Sequence, residues 1–419
     1  MRIKTEKNHP WSWIPTLYVA EGIPYVVVMT VAVILYKRLG LSNSDIALYT
    51  SWLYLPWVIK PLWSPLVDLF GTKRHWIAGM QFLTGAALAG VSLSLPGSDF
   101  LRYSLAFFWL LAFASATHDI AADGFYMIGL NTRQQAYFIG IRTTFYRLAV
   151  ILGQGGIVVL AGVLELRLSV AHAWAVTFGI ASGLFLLFAL YHLRVLPGKE
   201  TAAGRERLSW AAFLDTFVSF FRKEQLLPAL AFMLLFRFAE SQLLKLTAPF
   251  LLDGRDAGGL GLGTSEVGFI YGTAGVIALT AGGILGGILV ARNGLKRWIW
   301  GMTAALNLPN LLYVLLAFLQ PENTVLITAC VVLEQFGYGF GFTAYTFFLI
   351  LFSAGAHKTA HYALCTGVMA LGMMLPGMAS GWIQEQIGYL HFFLWVVACT
   401  IPSFLVVRFI RIPPNTNTP

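Results

Sequence analysis

Apolar stretches of about 20 residues recur along almost the whole of this 419-residue chain, and each is long enough to cross a bilayer. A soluble globule could not absorb them: 58% of the residues are apolar, 15% aromatic and only 11% charged, against roughly 25% charged in an average soluble domain. The spacing predicts twelve spans, at 12–36, 45–67, 75–95, 103–128, 137–162, 171–193, 227–251, 265–290, 297–319, 325–352, 360–383 and 388–407. The expected fold class is therefore an all-α polytopic membrane protein with the lipid bilayer as its solvent. An even number of spans puts both termini on one side. The first apolar run, Trp11 to Tyr36, is too long for a secretory signal core and lacks a small-residue exit, so it is expected to stay as the first span.

A net charge of +9 could suggest nucleic acid as a partner, but the bases sit in alternate loops between the spans. One set of loops and termini holds most of them, including Arg2, Lys4, Lys73, Arg74, Arg194, Arg222, Arg292, Lys296, Arg297, Arg408 and Arg411. The opposite loops hold only Lys37, Arg38, Arg102, Arg167 and Arg255. This asymmetry predicts that both termini are cytoplasmic and leaves no nucleic-acid patch. Cys330, Cys365 and Cys399 lie in apolar stretches without ligand spacing, so neither a metal site nor a disulfide is expected.

The longest connection splits the spans six and six. It predicts an N-terminal bundle at 1–194, a cytoplasmic linker at 195–224 and a C-terminal bundle at 225–419. Within the linker Trp210, Phe213, Leu214, Phe217 and Phe221 recur at helical spacing, as expected of a helix lying along the membrane surface. The halves read as copies. Gly40-Leu41-Ser42-Asn43-Ser44-Asp45 matches Gly261-Leu262-Gly263-Thr264-Ser265-Glu266 at an offset of 221, and Gly71-Thr72-Lys73-Arg74 matches Gly294-Leu295-Lys296-Arg297 at 223. Ala20-Glu21 and Ala239-Glu240 sit mid-span at an offset of 219. A duplicated six-span unit is the parallel-repeat plan of secondary transporters.

Charges inside spans must be compensated, because one at the bilayer centre costs about 2.5 to 3.5 kcal/mol even on the lenient insertion scale. Five acids, Glu21, Asp119, Asp123, Glu240 and Glu334, are the candidates for proton coupling. Five bases, Lys60, Arg142, Arg147, Arg237 and Lys245, are their candidate partners or ligands for an anionic substrate. Asp119 and Asp123 lie four residues apart on one helix face, where two carboxylates away from water favour sharing a proton. The alternative is permanent pairing with Arg142 and Arg147. Lys60 lies between Pro56 and Pro61, where a disrupted helix would expose backbone groups. His118, Tyr126, Gln335 and Tyr338 complete the candidate substrate contacts, since sugars ask for aromatic faces and polar side chains. His118 and Asp123 also fit H-x4-D, a weak acyltransferase-like pattern. No Walker loop, G-x-S-x-G or H-E-x-x-H occurs. No enzyme activity and no cofactor are expected.

The stretch Asp68-Leu69-Phe70-Gly71-Thr72-Lys73-Arg74 resembles the D-[RK]-x-G-[RK]-[RK] signature of the major facilitator superfamily, with Leu69 in place of a base. Arg292-Asn293-Gly294-Leu295-Lys296-Arg297 resembles it again, with Ala291 where the acid belongs. The resemblance implies a cytoplasmic gate built from Asp68, Gly71, Lys73 and Arg74, and more weakly from Arg292, Gly294, Lys296 and Arg297. Lys60-Pro61-Leu62-Trp63-Ser64-Pro65-Leu66-Val67-Asp68, Ser115-Ala116-Thr117-His118-Asp119-Ile120-Ala121-Ala122-Asp123 and Tyr146-Arg147-Leu148 are similar to stretches of the AmpG muropeptide permeases and the acetyl-CoA transporter group. His118 departs from the usual Gln. This resemblance implies proton symport of a GlcNAc-anhydromuramyl compound across the bacterial inner membrane by alternating access, in peptidoglycan recycling; a monomer is expected. Siderophore permeases share much of the pattern, so a siderophore or other small-solute importer is the alternative. An exporter of lipophilic compounds comes next, and a membrane acyltransferase last.

Overall fold

The computed structural model describes residues 9–197, 210–355 and 357–412, without the side chains of residues 68, 69, 132, 136 and 210–214. All regular structure among them is helical. In chain order the helices are α1 Pro10–Arg38, α2 Asn43–Trp52, α3 Leu55–Leu69, α4 Lys73–Ser94, α5 Phe100–Gly129, α6 Arg133–Glu165, α7 Val170–Val195, α8 Trp210–Phe221, α9 Leu226–Leu252, α10 Thr264–Asn293, α11 Leu295–Leu319, α12 Thr324–Phe352 and α13 Lys358–Phe409. Among the described residues ten of them, all but α2, α3 and α8, are long and apolar enough to cross a membrane. The segment expected at 45–67 is divided between α2 and α3. The two spans expected last both fall in α13, which turns at Gly388 with φ 74°.

The interruptions have local causes. Pro56 has no N–H to give and its ring would strike the carbonyl four residues back, at Trp52, so α2 stops there. The disruption expected around Lys60 therefore lies upstream, at Leu53 and Tyr54, and α3 continues past Lys60 and Pro61. In α9 the helix breaks at Arg237, whose φ and ψ are −107° and 20°. Single π-turns interrupt α1 at Val27–Val31, α6 at Leu152–Ile157 and α10 at Ile270–Gly275.

Duplication is visible in the backbone. Gly40 and Gly261 both take positive φ, 83° and 68°, and Gly71 and Gly294 do the same at 72° and 77°. Side chains with a Cβ resist that conformation, which explains why glycine recurs at both repeat offsets. The helices that follow are capped at matched positions. Ser42 Oγ accepts from Asp45 N at 3.0 Å, and Glu266 accepts from Gly263 N at 2.8 Å.

The chain divides into two compact units. One holds the described residues of Met1–Val31 and Leu62–Leu208, the other those of Ala32–Pro61 and Ser209–Pro419. The boundaries fall at the end of the π-turn in α1 and after Pro61 in α3. In the first unit Trp13, Leu17, Tyr18, Phe125 and Phe138 form a core, and α1 approaches α6 so closely that a Cβ on Gly22 would sit 2.7 Å from that of Ala149. In the second unit Phe232, Phe236, Tyr345 and Phe348 stack together. There Gly377 and Gly381 of α13 admit the backbone of α2, with Gly381 against the Asn43 carbonyl. Small residues serve close helix packing in both, as lipid supplies no hydrophobic drive between helices.

The linker residues 198–209 and the terminal bases Arg2, Lys4 and Lys7 lie outside the described residues. So do the side chains of Trp210, Phe213 and Leu214 in the expected amphipathic stripe. Of α8, Phe220 is the residue buried in the second unit's core, between Phe352 and His361, while Phe221 is exposed.

Candidate functional site

In the first unit α1 and α5 bring three of the candidate acids together. Ligand oxygens of Glu21, Asp119 and Asp123 all lie within 4.8 Å of one another. Asp119 and Asp123 meet because a spacing of four puts them on one face of α5. Glu21 faces them from α1, where Gly22 seats the helix against α6. Arg142 of α6 donates to Asp123 Oδ1 at 2.7 Å. Its guanidinium stacks on Tyr18 at 4.6 Å and on Tyr126 at 5.0 Å. The Tyr126 hydroxyl is spent on the Gln135 carbonyl at 2.5 Å, so Tyr126 offers this cluster its ring. Glu21 is buried, Asp119 half-buried, and the Asp123 side chain 47% exposed. The three carboxylates crowd one place, so full ionisation sets like charges against one another. The arrangement can therefore accept a proton or another cation. Arg147 lies half-buried on α6 and Lys60 half-buried on α3.

His118 points elsewhere. Gln81 Nε2 donates to His118 Nε2 at 2.9 Å, His192 Nδ1 donates to Gln81 Oε1 at 2.8 Å, and Thr16 meets His192 Nε2 at 3.0 Å. This buried chain ties α1, α4, α5 and α7 together. Gln81 and His192 carry no sequence signal that would have found them, because an isolated polar residue in a span shows neither its face nor its partner.

In the second unit the candidates fall into three separate arrangements. Arg237 and Glu240 form a bidentate pair at 2.9 and 2.6 Å within α9. Arg237 also donates to the Tyr338 hydroxyl at 2.8 Å and stacks on Phe342 at 4.6 Å. Both charges are buried, so this group is complete in itself. Glu334 of α12 is buried and among the described residues accepts from neutral donors, Gln335 Nε2 at 2.9 Å and the Tyr313 hydroxyl at 3.3 Å. Lys245 of α9 is buried, donates to Thr50 at 2.9 Å and lies 5.1 Å above the Tyr54 ring. It makes no ion pair among the described residues.

A fourth group in this unit went unread in the sequence. Lys37 pairs with Asp253 at 2.7 Å and donates to Asn43 at 2.8 Å. Asn43 donates to Gln384 at 2.7 Å and to the Tyr389 hydroxyl at 2.9 Å, and Tyr389 donates to Asp253 at 2.6 Å. Ser44 bonds Glu385 through both its amide, at 2.9 Å, and its hydroxyl. The network fastens the α1–α2 turn to the end of α9 and to α13. Its members sit at helix ends, just past one, and beside the Gly388 turn of α13, where polar residues attract no notice.

At the expected gate, Arg74 donates to the Leu193 carbonyl and Trp76 to that of Phe70 at 2.5 Å. Lys73 is buried with its stem against Gly124, so close that a Cβ there would lie 2.9 Å from it. Arg292, Lys296 and Arg297 are exposed around Gly294. The Asp68 side chain lies outside the described residues.

The Major Facilitator Superfamily profile matches residues 16–381. The chain belongs to the Major Facilitator Superfamily. It is a multi-pass membrane transporter of that superfamily, whose substrates are small molecules. It is 24% identical to the putative transporter AmpG 4 of Rickettsia conorii, over 99% of this chain and 100% of that one. It is 25% identical to the anhydromuropeptide permease of Escherichia coli K12, over 85% of this chain and 70% of that one. Among solved structures the nucleoside transporter NupG matches with TM-score 0.68 and 15% identity, over 95% of this chain and 98% of that one. A D-xylose-proton symporter matches with TM-score 0.70 and 12% identity, over 97% and 98%. Both likenesses are of fold.

Proposed function

We propose that this superfamily member imports an amino sugar of the anhydromuropeptide class together with protons. In this reading the protein lies in a bacterial inner membrane with both termini in the cytoplasm, and works as a monomer by alternating access of its two duplicated halves. The named relatives support the substrate class. The observation that carries the proton reading is the meeting of Glu21, Asp119 and Asp123 within 4.8 Å, with Arg142 on Asp123. Three carboxylates at that separation repel one another strongly when all are ionised, so the cluster takes up a proton and releases it when its surroundings change. Lys245, buried and without a carboxylate partner among the described residues, suits a lactyl or peptide carboxylate on the substrate. Glu334, held by neutral donors, is a second proton acceptor. Asp68 with Lys73 and Arg74 would gate the cytoplasmic side.

The test is uptake of labelled GlcNAc-anhydromuramyl disaccharide into proteoliposomes, with and without an imposed inward proton gradient. Accumulation above the equilibrium level only with the gradient supports the reading. Equilibration alone in both conditions removes the proton, and no uptake beside protein-free vesicles removes the substrate class.

A further inference from the structure

A basic cavity lies away from every acid discussed above. It is in the second unit, has a volume of about 870 Å³, and opens where α9 and α11 begin and α12 and α13 end. Four bases line it, Lys223, Lys296, Arg408 and Arg411, against one acid, Glu224. Its remaining wall is apolar: Phe348 and Val407 are buried beneath it, and the Trp300 indole, 50% exposed, stands at its side. Lys223 is already held, donating to the carbonyls of Phe352 at 2.8 Å and Ala354 at 2.7 Å at the end of α12. Lys296, Arg408 and Arg411 are exposed, and their charged ends remain on the surface.

We propose that this cavity holds an anionic phospholipid of the cytoplasmic leaflet, its phosphate among Lys296, Arg408 and Arg411 and the start of its acyl chains along Phe348, Val407 and Trp300. The proposal goes beyond the transport reading and uses only its orientation. Charge complementarity selects the occupant. A cavity with four bases to one acid disfavours a neutral or cationic ligand, and an apolar wall beside it disfavours a free hydrated anion. Helix ends that carry bases at the membrane surface meet both requirements only with a lipid, whose head is charged and whose neighbouring atoms are not. The bases follow the same asymmetry that assigns this end to the cytoplasm.

The full chain, purified and stripped of lipid, is mixed with phosphatidylglycerol or phosphatidylcholine, and retained lipid is counted by native mass spectrometry. Phosphatidylglycerol carrying brominated acyl chains is then used to quench tryptophan fluorescence, with Trp300→Phe identifying the indole that reports. Retention of one phosphatidylglycerol and quenching lost in Trp300→Phe are expected. Each of Lys296→Gln, Arg408→Gln and Arg411→Gln should weaken binding about fivefold, from about 1 kcal/mol per base. Glu224→Gln should strengthen it. Arg408→Lys should restore it, which separates charge from misfolding. Equal retention of both lipids, or unchanged binding in the triple Gln variant, overturns the proposal. Complete displacement by millimolar inorganic phosphate also overturns it, by showing a small-anion site.

Discussion

Replacing Glu21 with Gln removes one charge from the acidic cluster at nearly constant shape. Oxygens of Glu21, Asp119 and Asp123 stand within 4.8 Å of one another, and two unit charges at that distance repel by about 3.5 kcal/mol at an effective dielectric near 20 and by about 0.9 kcal/mol in water. The Asp123 side chain is 47% exposed, so the real value lies between these bounds. Glu21→Gln deletes two of the three repulsions, a relief of roughly 2 to 7 kcal/mol. In the proposed coupling, that repulsion is what drives proton uptake. One proton moving down ~100 mV and one pH unit supplies about 3.7 kcal/mol, enough for roughly 500-fold accumulation of a neutral solute. With Glu21→Gln the proton has little reason to bind. Accumulation in proteoliposomes should fall toward the equilibrium level, and substrate counterflow, which needs no net proton movement, should persist. Gradient-driven accumulation at the wild-type level, with an unchanged dependence on external pH, would refute the argument.

Three further substitutions separate the second unit's groups. Glu240→Gln strands the buried Arg237 charge and should cost about 3 to 5 kcal/mol of stability, read as a lowered melting temperature. The pair Arg237→Met with Glu240→Leu should recover most of it, and a stable single variant would contradict the pairing. Lys245→Met should weaken binding of a carboxylate-bearing sugar about tenfold or more and leave its reduced alcohol analogue unaffected; equal loss of both in a binding titration would show a packing role. Asp253→Asn breaks the Lys37 ion pair and weakens the Tyr389 bond. These groups are partly exposed, so about 1 kcal/mol is expected, seen as roughly fivefold faster amide exchange at the α1–α2 turn, and no change there would remove the fastening role.

Much of the fold was legible because bilayer crossing demands length and apolarity, and both are properties of the sequence itself. The repeat was legible because Gly40, Gly71, Gly261 and Gly294 hold positive φ at matched turns, and only glycine does this without strain. The site was legible in part. That Asp119 and Asp123 share a face follows from helical spacing, but that Glu21 of another helix joins them depends on how Gly22 seats α1 on α6. Pro56 and Pro61 marked a break, yet its place was set by the clash of Pro56 with the turn before it. The Lys37, Asn43, Asp253 and Tyr389 network was not legible, since its members come from segments more than 200 positions apart. The sequence offers His118 as a substrate contact, whereas in the structure it bonds Gln81, since its neighbour Asp119 points to a different face of the helix.

Glu21 and Glu240 show why a duplicated backbone does not carry duplicated chemistry. Both follow an alanine at the same repeat offset, and both are buried in the first span of their half. Three residues earlier stands Tyr18 in one copy and Arg237 in the other. A spacing of three lets side chains on a helix meet, so Arg237 satisfies Glu240 within its own helix, at 2.6 Å. Tyr18 cannot neutralise Glu21, and its ring instead stacks on Arg142, the arginine that pairs with Asp123. Across the helix interface Glu21 instead meets Asp119 and Asp123. The difference at this one position thus gives Glu240 a partner in its own helix and sets Glu21 beside two other carboxylates, the placement on which the proposed proton coupling rests.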